Sequence, residues 1–303
     1  MLNKLIANIL PYMPKKLVWV FSKRYIAGET IEEGLLASKL LNEKNIEVTI
    51  DLLGEFIESL EEAEDNRNHY LTIIDRFTSE GVKGNFSLKP TMFGLLIDKE
   101  VCFNYIKEII AFATEKNSFI RIDMEDSRCV DSELELFKKL RLEFPKNVGL
   151  VLQSYLRRTI SDLEALNDLN SESNPINFRL CKGIYIEPEN IAFKDYQAVR
   201  DHYLEDLEYM LKNRMHVGIA THDKYLVENA YHLIEKYNVP ENMYEFQMLF
   251  GVTPELRQSI VDKGHRMRVY VPFGKHWFNY STRRLKENPK IANHIIKALF
   301  IRG

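Results

Sequence analysis

The chain has 303 residues, 45% hydrophobic and 28% charged, a composition that excludes a disordered or fibrous protein and supplies a large buried core. Its 41 lysines and arginines stand against 44 acidic residues, a net charge of -3, so no positive excess marks a nucleic-acid binder. No apolar run approaches the roughly 20 residues of a membrane span. Cys102, Cys129 and Cys181 form no CxxC pair and fit reduced thiols in a cytosolic compartment.

In chain order, residues 1–21 come first, mixing apolar clusters with Lys4, Lys15 and Lys16 and broken by Pro11 and Pro14. No small-residue cleavage site follows, unlike a signal peptide. Two readings stay open for this segment: an amphipathic stretch lying on a membrane surface, or one packed against its own domain. Residues 30–42 look helical and complete an N-terminal helical arm over 1–44. From 45 to 303, short apolar or β-branched runs recur at 47–53, 86–89, 119–124, 148–155, 177–181, 217–221, 244–249 and 267–271. Charged, periodic segments separate them at 56–80, 99–116, 131–143, 159–169, 192–213, 224–237 and 254–263. The continuous hydrophobicity of most runs predicts parallel strands covered by helices. Strand-then-helix alternation, repeated around eight strands, predicts a (β/α)8 barrel of the TIM type. No Ser/Gly linker or composition shift marks a further domain.

Such a barrel carries its chemistry at the C-terminal ends of the strands. Those ends read Asp51, Lys89, Asp123 with Glu125, Gln153 with Tyr155, Arg179 with Lys182 and Tyr185, Thr221 with His222 and Asp223, Glu245 with Gln247, and Tyr270. Each alone has a structural explanation: Lys89 precedes a turn at Pro90, Asp123 and Asp223 suit helix caps, and His222 suits a core. Together they exceed what folding requires. Beyond the last strand, Tyr280, Arg283 and Arg284 share helical offsets of three and four on a C-terminal helix. Alone they read as a solvated basic face; after an eighth strand they fall at the mouth.

Lys89, Arg179, Arg283 and Arg284 are thus predicted to converge, with Lys182 behind them, on an anionic ligand or a small carboxylate beside an anionic cofactor. Metal ligation finds no support, since neither H-x-H nor HExxH spacing occurs. The G-x-S-x-G elbow and the G-x-G-x-x-G fingerprint are also absent. Two chemistries remain open from the residues: a Schiff-base lyase or aldolase using Lys89 or Lys182, and redox chemistry on a flavin faced by Gln153 and Arg179.

The run Tyr270-Val271-Pro272-Phe273-Gly274, with Trp277, Tyr280, Arg283 and Arg284 at their spacings, resembles the C-terminal signature of the proline dehydrogenase family, monofunctional bacterial type. Matching segments occur in order around Asp51, at Ser87-Leu88-Lys89-Pro90, Arg121-Ile122-Asp123-Met124, Val151-Leu152-Gln153, Arg179-Leu180-Cys181-Lys182-Gly183, Thr221-His222-Asp223 and Glu245-Phe246-Gln247. The likeness covers about 48–288. It implies a distorted (β/α)8 barrel holding FAD non-covalently and oxidising L-proline to Δ1-pyrroline-5-carboxylate by hydride transfer to the flavin N5. This is the first step of proline breakdown to glutamate.

The resemblance also implies electrons passing to a membrane quinone. The enzyme is then cytoplasmic, with peripheral contact on the inner face of the cell membrane as a further expectation. By the same resemblance, Arg283, Arg284 and Lys89 bind the proline carboxylate, and Tyr280, Tyr270 and Leu249 wall its ring. Arg179 and Gln153 meet the flavin pyrimidine and N5 side, with Met124 against it. Lys182, Gly183 and Ile184 contact its phosphate and ribityl region, Thr221 and His222 its adenosine half, and Asp123 orients Lys89 or Arg179. Ile184 departs from an expected alanine. Its extra bulk is expected to narrow the pocket or shift the flavin, to the disadvantage of substituted prolines, unless the side chain packs outward.

Overall fold

The computed structural model describes residues 18–19, 22–278 and 280–281. Its strands are β1 (Glu47–Leu52), β2 (Gly84–Leu88), β3 (Ile120–Ile122), β4 (Val148–Gln153), β5 (Asn177–Cys181), β6 (His216–Ala220), β7 (Tyr244–Leu249) and β8 (Met267–Phe273). Each pairs in parallel with the next, and β8 closes onto β1. Helix α1 (Ile31–Asn42) precedes the barrel. The connections between strands hold α2 (Leu60–Ser79), α3 (Lys99–Glu115), α4 (Val130–Glu143), α5 (Thr159–Leu166), α6 (Tyr196–Lys212), α7 (Lys224–Lys236) and α8 (Pro254–Asp262). The predicted (β/α)8 barrel is therefore present.

Boundaries differ from the sequence expectation where a cap decides them. Helix α2 begins at Leu60 rather than 56 because the Ser59 side chain accepts from the Glu62 amide. Helix α6 begins at Tyr196 rather than 192 because Asp195 accepts from the Ala198 amide. The segment before it is left as an irregular loop over the mouth of the barrel.

The strands are buried on both faces, but only one face is apolar. Outward residues such as Phe86 and Phe273 pack under the helices; Phe77 of α2 stacks on Phe273 at 6.0 Å and meets Phe86 edge-on at 6.3 Å. The alternate residues point inward and are mostly polar, with Val151, Ala220 and Leu249 among the exceptions. Thr49 of β1 donates to Asn85 of β2 at 2.6 Å, and Arg179 of β5 reaches Thr49, Ser87 and Gln247 on three other strands. The strands are parallel and covered by helices as their runs predict, and the inner face also carries polar side chains. There the cost of burying polar groups is met by hydrogen bonds across the barrel.

The segment before α1 docks on the last strand. The Ala27 amide donates to the Pro272 carbonyl at 2.9 Å, and the Gly274 amide donates to the Gly28 carbonyl at 3.0 Å. Helix α1, opened by a Thr30–Glu33 capping box, covers the seam between β8 and β1. No helix of the described residues is long and apolar enough to cross a membrane. The reading of 1–21 as a membrane-surface segment falls almost wholly outside the described residues.

Candidate active site

A cavity of about 410 Å³ opens at the C-terminal ends of the strands. It is lined by Lys89, Asp123, Met124, Gln153, Arg179, Lys182, Gly183, Ile184, Thr221, His222, Leu249, Tyr270 and Tyr280, the predicted site residues that fall within the described chain. Arg283 and Arg284 lie outside the described residues. Glu245, expected at the mouth with Gln247, sits one layer deeper. It is two residues earlier on β7, hence on the same face but further down the barrel, where Arg268 holds it at 2.6 Å.

Two cations and two carboxylates interlock at the base of the cavity. Lys89, following β2, donates to Asp51 at the end of β1 (2.8 Å) and lies 3.8 Å from Asp123 beyond β3. Asp123 accepts from Arg179 Nη1 at 2.9 Å, from the Tyr270 hydroxyl at 2.8 Å, and from the Ser87 hydroxyl. Of the two predicted targets of Asp123, Arg179 is the one it holds directly; Asp51 is the nearer partner of Lys89. Burial works against the Lys89 charge, but Asp51 and Asp123 overcome it and hold its pKa above the lysine range. Burial and the two carboxylates likewise keep the Tyr270 phenol protonated, so it donates. The Arg179 guanidinium lies over the Tyr270 ring at 5.0 Å.

The rim carries a second charged group. Asp223 accepts from Lys182 at 2.6 Å, from Tyr196 at 2.8 Å and from both Nε and Nη2 of Arg200 at 2.8 Å. Burial opposes its charge, yet these donors hold the carboxyl well below its usual range. Lys182 and Arg200 flank the Tyr196 ring, each at 4.4 Å. Two cations against one carboxylate leave the rim positive. Beside it, Gly183 has φ +103°, and a Cβ there would come within 2.1 Å of the Tyr155 ring. Only glycine lets the main chain turn here and lie open to a ligand. Apolar walls, donors aimed from one side and a positive rim suit a flat ring system bearing phosphates, with room for a small carboxylate near Lys89.

The sequence model of the proline dehydrogenase family matches residues 36–296. The chain is 33% identical over 291 residues to proline dehydrogenase from Deinococcus radiodurans, covering 95% of this chain and 92% of that one. It is 32% identical to proline dehydrogenase 1 from Bacillus subtilis subsp. natto, covering 92% and 90%. The chain belongs to the proline dehydrogenase family. Among solved structures, proline utilization A from Bdellovibrio bacteriovorus, inactivated by N-propargylglycine, superposes with a TM-score of 0.86 at 26% identity. That match covers 92% of this chain and 36% of the larger protein.

In this proline dehydrogenase family member, several polar residues around the cavity carry no sequence signal of their own. Arg200 and Tyr196 read as the solvated face of a helix, while Asp51, a predicted strand-end residue, carries no sign of its partner. Only barrel closure brings them to Asp223 and Lys89. Glu125, expected at the mouth beside Asp123, instead faces away from the cavity and clamps the loop after Lys89. It accepts from the Thr91 amide at 2.9 Å and from the Thr91 hydroxyl at 2.5 Å, and the Glu133 carboxylate accepts from its own amide.

Burial pushes the Glu125 carboxyl up from 4.5 to about 7. The folded state therefore holds this proton more tightly than the unfolded chain does. The resulting stability is full below about pH 4.5 and is lost as pH rises through about 7, on the order of 3 kcal/mol at most. Glu125→Gln should flatten the fall in unfolding free energy between pH 4.5 and 8 in urea titrations. Wild-type and variant curves that run parallel would contradict this.

Proposed function

We propose that the protein oxidises L-proline to Δ1-pyrroline-5-carboxylate, the first step of proline catabolism. FAD, held non-covalently in the cavity, supplies the two-electron acceptor that amino-acid side chains lack. A membrane quinone is then the final acceptor, reached by peripheral contact at the inner face of the cell membrane through the lysine-bearing N-terminal segment. The barrel at 45–303 is the catalytic unit and 1–44 its arm.

The observation that carries this reading is the state of Lys89. Clasped by Asp51 and Asp123, it stays a cation and binds anions; it lacks the free amine that Schiff-base chemistry requires. With Arg283 and Arg284 it binds the substrate carboxylate, while Tyr270, Tyr280 and Leu249 wall the ring. Arg179 and Gln153 address the flavin ring from one side, with Met124 against it, and Lys182 with Gly183 and Ile184 takes the phosphate and ribityl portion. Thr221 and His222 take the adenosine half. The His222 Nε2 accepts from the Leu249 amide at 2.8 Å, which ties that end of the site to the ring wall. Asp123 acts through its partners, fixing Arg179 and Tyr270.

Protein reconstituted with FAD should form pyrroline product in proportion to quinone reduced, detected with an aldehyde that traps the cyclic imine. Absence of product, or borohydride trapping of a substrate adduct on Lys89 or Lys182, would overturn the reading. Ile184 lines the cavity rather than packing outward. Ile184→Ala should therefore raise kcat/KM for 4-hydroxyproline relative to proline by roughly tenfold, the value of one or two methylenes in such a pocket. An unchanged ratio would show that Ile184 does not bound the substrate.

A further inference from the structure

We propose that Gln247 is a positioning residue for Arg179: a neutral coupler that fixes the guanidinium by a hydrogen bond while keeping the Glu245 carboxylate away from it. This rests on the reading that FAD binds beside Arg179. Arg179 Nε donates to Gln247 Oε1 at 2.7 Å, and Gln247 Nε2 donates to Glu245 Oε1 at 2.7 Å. All three are buried, at 6%, 5% and 2% exposure. A guanidinium only donates and a carboxylate only accepts, so the amide between them has a single satisfied orientation.

Gln247 stands where two buried charge networks meet. Below it, Glu245 is held by Arg268 through Nε at 2.6 Å and Nη2 at 3.0 Å, and Arg268 also reaches Glu47. Above it, Arg179 pairs with Asp123, which accepts from Tyr270 beside Lys89. Because the coupler is neutral, Arg179 touches one carboxylate and not two. It keeps positive charge facing the cavity, where positive charge favours an electron-rich bound ring.

A second observation comes from the neighbouring strand. A Cβ at Gly218 would lie 2.3 Å from Gln247 Nε2 and 2.8 Å from its carboxamide carbon. Gly218 is not among the glycines with positive φ, so its missing side chain serves the space and not the backbone. The amide of Gln247 fills the room that Gly218 leaves.

The test compares FAD-loaded wild type, Gln247→Glu and Gly218→Ala by midpoint potential of the bound flavin, proline kinetics and thermal unfolding. Gln247→Glu places a second carboxyl on Arg179. It should lower the reduced-to-oxidised ratio at a fixed potential at least tenfold, about 30 mV for a two-electron couple. Gly218→Ala pushes the amide aside without changing charge; it should cut kcat at least tenfold while KM for proline moves less than threefold. If Gln247→Glu fails to fold or its carboxyl stays protonated, Gly218→Ala decides, and an unchanged kcat there overturns the proposal. Unshifted variants of a wild type that binds FAD and is reduced by proline overturn this inference alone. A wild type that takes up no FAD, or whose FAD proline does not reduce, overturns the functional reading and this inference with it.

Discussion

Asp123→Ala is expected to lower unfolding free energy by about 3–5 kcal/mol, the cost of leaving a buried partner charge uncompensated. Asp123 is the one acceptor shared by Arg179 at 2.9 Å, Tyr270 at 2.8 Å and the Ser87 hydroxyl, and it lies 3.8 Å from Lys89. With Asp51 it balances two cations by two carboxylates. Without it, Arg179, only 6% exposed, faces the cavity unpaired. Against a typical total of about 5–15 kcal/mol, this is a large fraction. Activity should fall as well, because Arg179 and Tyr270 lose their common anchor; displacements near 1 Å cost about 100-fold in kcat. Asp123→Asn keeps an acceptor for Tyr270 without the charge, so it should retain more stability than alanine while still losing rate. Urea midpoints and steady-state kinetics check both, and an alanine variant within about 1 kcal/mol of wild type would contradict the network.

Arg283→Ala and Arg284→Ala should each raise KM for proline with a smaller effect on kcat. Each arginine is assigned a charge-assisted bond to the substrate carboxylate, worth about 1.5–3 kcal/mol, or roughly 10- to 100-fold in KM. They follow Tyr280, a wall of the cavity, by three and four residues. Lysine at either position should recover only part of the loss, because a point charge cannot reproduce the planar fork. Unchanged KM in both alanine variants would remove the arginine pair from the substrate site.

The strand pattern made the barrel legible. Strands β5 and β7 have the bounds their apolar runs predict. Lys89, Asp123 and Lys182 directly follow strands, Arg179 and Tyr270 point inward from within β5 and β8, and all five meet in one cavity. The inner face was less legible. In β1 and β8, residues such as Thr49 and Arg268 interrupt apolar runs without a local reason, since their partners lie on other strands. Sequence spacing also gives a side but not a depth: Glu245 and Gln247 point the same way, yet one anchors the floor and the other touches Arg179. The Asp51–Lys89 pair, 38 residues apart in the chain, follows from closure of β1 against β2 and from no local signal. Arg200 and Tyr196 were hidden for a similar reason, because a charged or aromatic residue at a helix start reads as surface until the cavity rim is known.

The central claim, that this cavity brings proline to a bound flavin, is tested most directly by anaerobic titration of the FAD-loaded protein with L-proline, followed through the visible flavin absorption. Saturating proline should bleach the oxidised flavin band and pyrrolidine should not, because pyrrolidine lacks the carboxylate proposed to pair with Lys89 and the arginines. A band that stays unchanged with proline, or that pyrrolidine bleaches equally well, would contradict it.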